Sequence, residues 1–263
     1  MSGRSIRKTF TGAIFLLSVL TLTSDAALAQ CVDVPAHAAL TAALDGVVTP
    51  GAGGNGGLGN EMWATVVNRD GIVCAVTFSG GDRDDQWPGS RVISAQKANT
   101  ANAFSLVAFA LSTANLYSAV QPGGSLFGLQ ESNPVNVDVA YAGAPAAYGT
   151  AADPMVNGKI GGVNVFGGGL GLYNAAGQLV GSVGVSGDTS CTDHIVAWKV
   201  RHALNLDNVP GGVAGGTDNM IFDITGSQGN FSSKGGFGHP ECGFGERPIA
   251  EALPGTHPIG AAP

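Results

Sequence analysis

The chain has 263 residues, of which 12% are charged and 44% hydrophobic, with 42 glycines and a formal net charge of −7. So few cations on an acidic chain exclude nucleic acid and anionic membrane surfaces as partners, because both bind through clustered lysine and arginine. The length suits one domain of ordinary size with appendages.

Arg4, Arg7 and Lys8 precede an apolar run from Ala13 to Leu22, and Ala27-Leu28-Ala29 supplies the small residues that a signal peptidase needs. Residues 1–29 therefore read as a cleaved signal peptide, and a periplasmic or secreted protein is expected. The apolar run is roughly ten residues long, far below the ~20 that span a bilayer, and no later segment is apolar and long enough to insert. Leu28-Ala29-Gln30-Cys31 approaches a lipobox, but Gln30 stands where a small residue is required. The four cysteines, Cys31, Cys74, Cys191 and Cys242, all follow the cleavage site and suit an oxidising compartment. No two have C-x-x-C spacing, which argues against a metal cluster. Sequence alone does not choose among the three possible pairings; Cys191–Cys242 with Cys31–Cys74 is the expected set, each tying a terminal segment to the core.

A short helix is predicted over Ala36–Leu44, then a flexible low-complexity loop from Thr49 to Gly57. Met62–Asn68 and Ile72–Phe78 are β-rich runs joined by Arg69-Asp70-Gly71, a hairpin signal. After the polar loop Ser79–Gly89, Ser90 is placed to cap a long helix through Ala95, Ala98, Ala101, Phe104 and Ala108. Pro122-Gly123-Gly124 ends that region, and Ser125–Gly161 is a Pro/Gly/Ala-rich excursion. Two strands then flank an Asn174-Ala175-Ala176-Gly177 turn, a helix follows over Thr192–Leu204, and Asn219–Ile224 is a further short strand candidate. The chain is read as one domain over 30–206, with a Gly/Pro-rich extension over 207–263. Its fold class is α+β with an antiparallel sheet. Small residues at Gly167–Gly171, Gly181 and Gly184 would let an alanine-rich helix lie close against the strands.

Several motif-like stretches carry little. Gly54-Asn55-Gly56-Gly57-Leu58-Gly59 matches G-x-G-x-x-G but follows a loop and opens a strand. Gly184-Val185-Ser186-Gly187 lacks the second glycine of a nucleophile elbow, and Ser94-Ala95-Gln96-Lys97 lacks the companion motifs of a penicilloyl-transfer site at a workable spacing. The histidines say more. His194 and His202 lie about 12 Å apart along one helix, too far to share an ion, yet near one face with Trp198 and Arg201.

Trp63-Ala-Thr-Val-Val-Asn-Arg-Asp-Gly-Ile-Val73, Lys97-Ala-Asn-Thr-Ala101, Gly168–Gly171, Ala176-Gly-Gln-Leu-Val-Gly181, Val183-Gly-Val-Ser-Gly187 and Asp193 together resemble the HbpS-like (GlcG) haem-binding family. The resemblance covers roughly Ala36–Leu206. It implies a profilin-like antiparallel sheet of about five strands flanked by helices, homo-oligomeric assembly, and haem binding with roles in sensing, sequestration or protection from oxidative stress. The loop Gly81–Gly89, the excursion Ser125–Gly161 and the cysteine-bearing extension depart from the family's pattern. A haem needs an axial donor, an apolar wall and cations for its propionates. His194 is the candidate iron ligand, with His202 and His37 as alternatives, and Trp198 and Arg201 (or Lys199) completing the site. The leading expectation is an exported haem-binding or haem-sensing protein without a clear catalytic site. A binding module for another small organic ligand and a haem- or small-acid-modifying enzyme are the alternatives.

Overall fold

Alternating β-branched residues and an Asp-Gly turn make the first hairpin, β1 (Trp63–Asn68) with β2 (Val73–Phe78), in a computed structural model that describes residues 30–48, 54–227 and 230–260. The expected signal peptide and the stretch Thr49–Gly53 lie outside the described residues. At the turn, Gly71 takes φ 74°, and Asn68 Oδ1 accepts the Asp70 and Ile72 amides. The second hairpin, β3 (Gly169–Tyr173) with β4 (Leu179–Ser186), turns at Gly177, where φ is 69°. Here Asn174 Oδ1 accepts from Ala176 and Gln178. The hairpins join in the order β2-β1-β4-β3, every pair antiparallel.

The α+β architecture with an antiparallel sheet is as the sequence predicts, with four strands in the main sheet rather than about five. Asn219–Ile224 does not form the expected strand. Asn219 is committed to other partners, its side chain donating to Ala250 O and lying against His194, so the segment has no ladder. A separate two-stranded ribbon forms just beyond, β5 (Ile224–Ser227) with β6 (Asn230–Ser233).

Helices cover both faces. On one lies α2 (Ser90–Phe104), whose Ala95, Ala98 and Ala101 are buried along with Trp63, Val67 and Val76. On the other, α1 (His37–Val47), α4 (Ser190–Ala203) and α5 (Glu246–Thr256) bury Leu40, Leu44, Val196, Ala250 and Leu253 against Ala64, Val66, Leu170 and Val183. A short helix, α3 (Val137–Ala140), lies within the excursion; Asn136 caps it, its side chain accepting from Asp138 and Val139.

Two helix boundaries differ from expectation. Ser90 is the first residue of α2, not its cap; Gly89 takes that place, and the Ser90 hydroxyl lies 3.2 Å from Ser186 Oγ. The helix stops at Phe104, short of Ala108, because the Ser105 hydroxyl bridges the Leu111 backbone (N at 3.2 Å, O at 3.1 Å) and turns the chain. In α4 the cap is Thr189, whose hydroxyl accepts from the Thr192 amide at 3.2 Å.

The cysteines pair as Cys31–Cys74 and Cys191–Cys242, the expected set. The first holds the segment before α1 to β2, and the second joins the start of α4 to the segment before α5.

Candidate functional site

At the centre of the fold, Lys97 of α2 reaches across the sheet to the first turn of α4. Its Nζ donates to Asp193 Oδ2 at 2.6 Å and to Val185 O at 3.1 Å, with both side chains closed to solvent. Asp193 Oδ1 accepts the amides of Gly187 and Asp188, so the carboxylate also anchors the strand-to-helix turn. Burial pulls the Lys97 ammonium below its ordinary range and pushes the Asp193 carboxyl up to about 6, against the opposing attraction between them. Both residues belong to the stretches that carry the family resemblance. Their arrangement is structural, since no surface opens onto the pair.

The predicted ligand face of α4 is assembled but covered. His194, Trp198 and Arg201 do share one face: the Arg201 guanidinium lies 4.8 Å from the Trp198 ring centroid, and the His194 and Trp198 rings are 6.4 Å apart. All three are buried under the segment that follows residue 206. Arg201 donates through Nη1 and Nη2 to the Asp218 carboxylate at 2.7 and 2.8 Å. His194 Nε2 meets Asn219 Oδ1 at 3.2 Å, and Trp198 Nε1 donates to His257 O at 2.9 Å. His194 Nδ1 has no hydrogen-bond partner among the described residues, and burial holds the ring neutral, with its pKa lowered to about 4. An iron at His194 would need a flat slot for the macrocycle beside it, where Asn219 and neighbouring residues now sit. His194 thus has a suitable donor atom in a closed setting.

His37, the other alternative, is half-buried at the start of α1. Its Nε2 lies 2.8 Å from Gly149 O, which makes it a strut between α1 and the excursion.

His202 is different. Its side chain is 39% exposed at the end of α4, and its Nδ1 lies 2.6 Å from the Asp207 carboxylate. A carboxylate accepts, so in the neutral ring Nδ1 carries the proton and Nε2 keeps its lone pair, the arrangement that orients imidazole for a metal. The His257 ring stands beside it, edge-on, with centroids 5.3 Å apart. Neither Asp207 nor His257 was legible as part of the site: the acid lies past the helix, and His257 lies in what reads as a solvated terminus.

Buried neutral histidines also make the protein acid-sensitive. His194 is lowered to about 4 and His239 to about 3, burial being the main cause for both, against an ordinary value of 6.5. The unfolded chain therefore binds protons that the folded chain refuses: stability is whole above pH 6.5 and is lost as the pH falls from 6.5 towards those values. At pH 5 each histidine costs about 2 kcal/mol. Asp193 has the opposite sign, because its raised folded pKa returns about 1 kcal/mol over the same interval. Between pH 7.5 and 5 the melting temperature is expected to fall by roughly 6–12 °C. In His194→Gln most of that drop should vanish; thermal melts at the two pH values decide, and an unchanged drop would remove His194 as its cause.

Comparison with known proteins adds a family. The model of a family described as "Haem degrading protein HbpS-like" matches residues 55–201. No curated protein matches the chain. Among solved structures it is similar to protein ORFY of Klebsiella pneumoniae, a DUF336 protein, at 25% identity over 65% of this chain and 90% of that one, with a TM-score of 0.44. It is also similar to a PduOC:haem complex, at 22% identity over 64% of this chain and 91% of that one, with a TM-score of 0.44.

Proposed function

Since the chain belongs to the HbpS-like family, we propose that it is an exported haem-binding protein whose iron ligand is His202. The observation that carries the assignment is the partly exposed His202 ring, with Nδ1 engaged by Asp207 and no hydrogen-bond partner at Nε2 among the described residues. A ferric or ferrous haem iron takes a neutral imidazole donor of this kind, and a carboxylate behind the ring raises its basicity. His257 flanks the site, while buried His194, Trp198 and Arg201 fix α4 beneath it. Two disulfides and the amino-terminal leader support the exported part of the reading.

Hemin titration followed by absorbance tests it. A saturable Soret shift near one haem per chain is expected. His202→Ala should weaken affinity by roughly tenfold or more, Asp207→Asn should do so by less, and His194→Gln should leave it unchanged. No saturable shift would end the haem reading. Loss of binding in His37→Ala with none in His202→Ala would move the ligand. The family's description also names degradation, so the titrated complex is to be incubated with ascorbate: steady, His202-dependent loss of the Soret band would make the protein an enzyme.

A further inference from the structure

The two segments that depart from the family's pattern, the loop Gly81–Gly89 and the excursion Ser125–Gly161, meet over the outer end of β1. Between them lies a half-open cleft of about 240 Å³ with Trp63 in its lining and Tyr141, Tyr148, Pro88 and Pro145 around it. Ligand sites for drug-sized molecules run to about 300–1,000 Å³, so this one takes a smaller guest and excludes a whole haem.

The cleft is pre-built. Arg91 lies 3.6 Å from the Tyr148 ring centroid, and its guanidinium is spent on Asp153 (Nε to Oδ2, 2.9 Å) and Ala140 O (2.8 Å). Gly149, at φ 76°, is pinned through its amide to Asp153 at 2.7 Å and through its carbonyl to His37 at 2.8 Å. A side chain there would strike Phe78 and Trp63, so the excursion is held directly against the Trp63 ring.

Trp63 is 2% exposed and its Nε1–H is closed to solvent, so the indole lines the back of the cleft as an apolar surface only. The Tyr141 and Tyr148 rings offer flat apolar walls. At the mouth, Arg83 is 40% exposed, and its ion-pair partner among the described residues is the exposed Asp84 carboxylate at 4.0 Å.

We infer that this cleft binds a small planar aromatic monocarboxylate. Flat walls of ring and proline select a flat guest. Arg83 attracts a single negative charge, while Asp84 beside it disfavours a second. The site is separate from His202 and stands whether or not haem binds there.

The test is equilibrium binding of 2-naphthoate to the full-length protein, followed by quenching of tryptophan fluorescence and by calorimetry, with cyclohexanecarboxylate as the non-planar comparison. Saturable binding of 2-naphthoate at one per chain is expected, with cyclohexanecarboxylate at least about tenfold weaker. Tyr141→Ala, which removes an exposed flat wall of the cleft, should weaken 2-naphthoate several-fold by calorimetry. Arg83→Gln, likewise a surface change, should weaken the acid several-fold and leave neutral 2-naphthamide unaffected. His202→Ala should change none of these. Absence of saturable binding, equal affinity for the non-planar acid, or binding unaffected by Arg83→Gln would each overturn the assignment.

Discussion

Replacing Gly184 by alanine is expected to cost about 3 kcal/mol or more and to reduce sharply the yield of folded protein. Gly184 lies mid-strand in β4, paired to Thr65 on one side and Gly169 on the other, beneath α2. A Cβ there would stand 2.0 Å from Ser94 O and 2.5 Å from Ala98 N. Both are backbone atoms, so no rotamer change relieves the contact; the helix itself must lift. Lifting it opens the layer in which Ala95, Ala98 and Ala101 are packed, and lost contact in an interior of near-crystalline density is not recovered elsewhere. The matched control is Gly46→Ala on α1, where nothing lies within 4 Å and helix propensity alone acts; that change should stabilise by about 0.5–1 kcal/mol. Urea denaturation midpoints of the two variants should move in opposite directions. If Gly184→Ala proved as harmless as Gly46→Ala, close approach of helix and sheet would not be what the glycines provide.

Lys97→Met is the second large effect. It leaves the Asp193 carboxylate closed to solvent without its cation, and breaking a buried pair from one side costs about 3–5 kcal/mol. The two amides that Asp193 accepts lessen the loss but do not replace a full charge. Asp193→Asn should cost less than the reverse defect, since an amide can still accept from Gly187 and Asp188 while Lys97 keeps Val185 O. The double change Lys97→Met with Asp193→Asn should be far less harmful than the two single costs summed. A double-mutant cycle by chemical denaturation gives that coupling, and additive single costs would show that the pair is not a unit.

Much of this architecture is written in short-range signals. Asp70-Gly71 and Asn174–Gly177 mark both hairpins, and Gly169 of β3 and Gly184 of β4 lie under α2 as the sequence predicts, whereas Gly181 packs by Val34 instead and Gly167 meets α4. Helical periodicity also sets His194, Trp198 and Arg201 on one face. Periodicity does not say what covers a face. The segment after residue 206 has the composition of a loop, yet it supplies Asp218, Asn219 and the His257 carbonyl to those three side chains, and Ala250 and Leu253 to the core. Those are tertiary partners without any spacing rule, so an apparent ligand surface becomes an interior one and the accessible imidazole moves to His202. Likewise the Lys97–Asp193 pair joins two quoted motifs across 96 positions, and the cleft over Trp63 forms from two stretches that the sequence shows only as departures.

The Arg201–Asp218 contact ties α4 to the segment that follows residue 206. Arg201 is the last position that the family model matches, whereas Asp218 lies beyond it. A guanidinium enclosed in protein cannot shed its proton, so Asp218→Asn would leave Arg201 charged and unanswered inside the fold and would loosen the later segment's hold on α4.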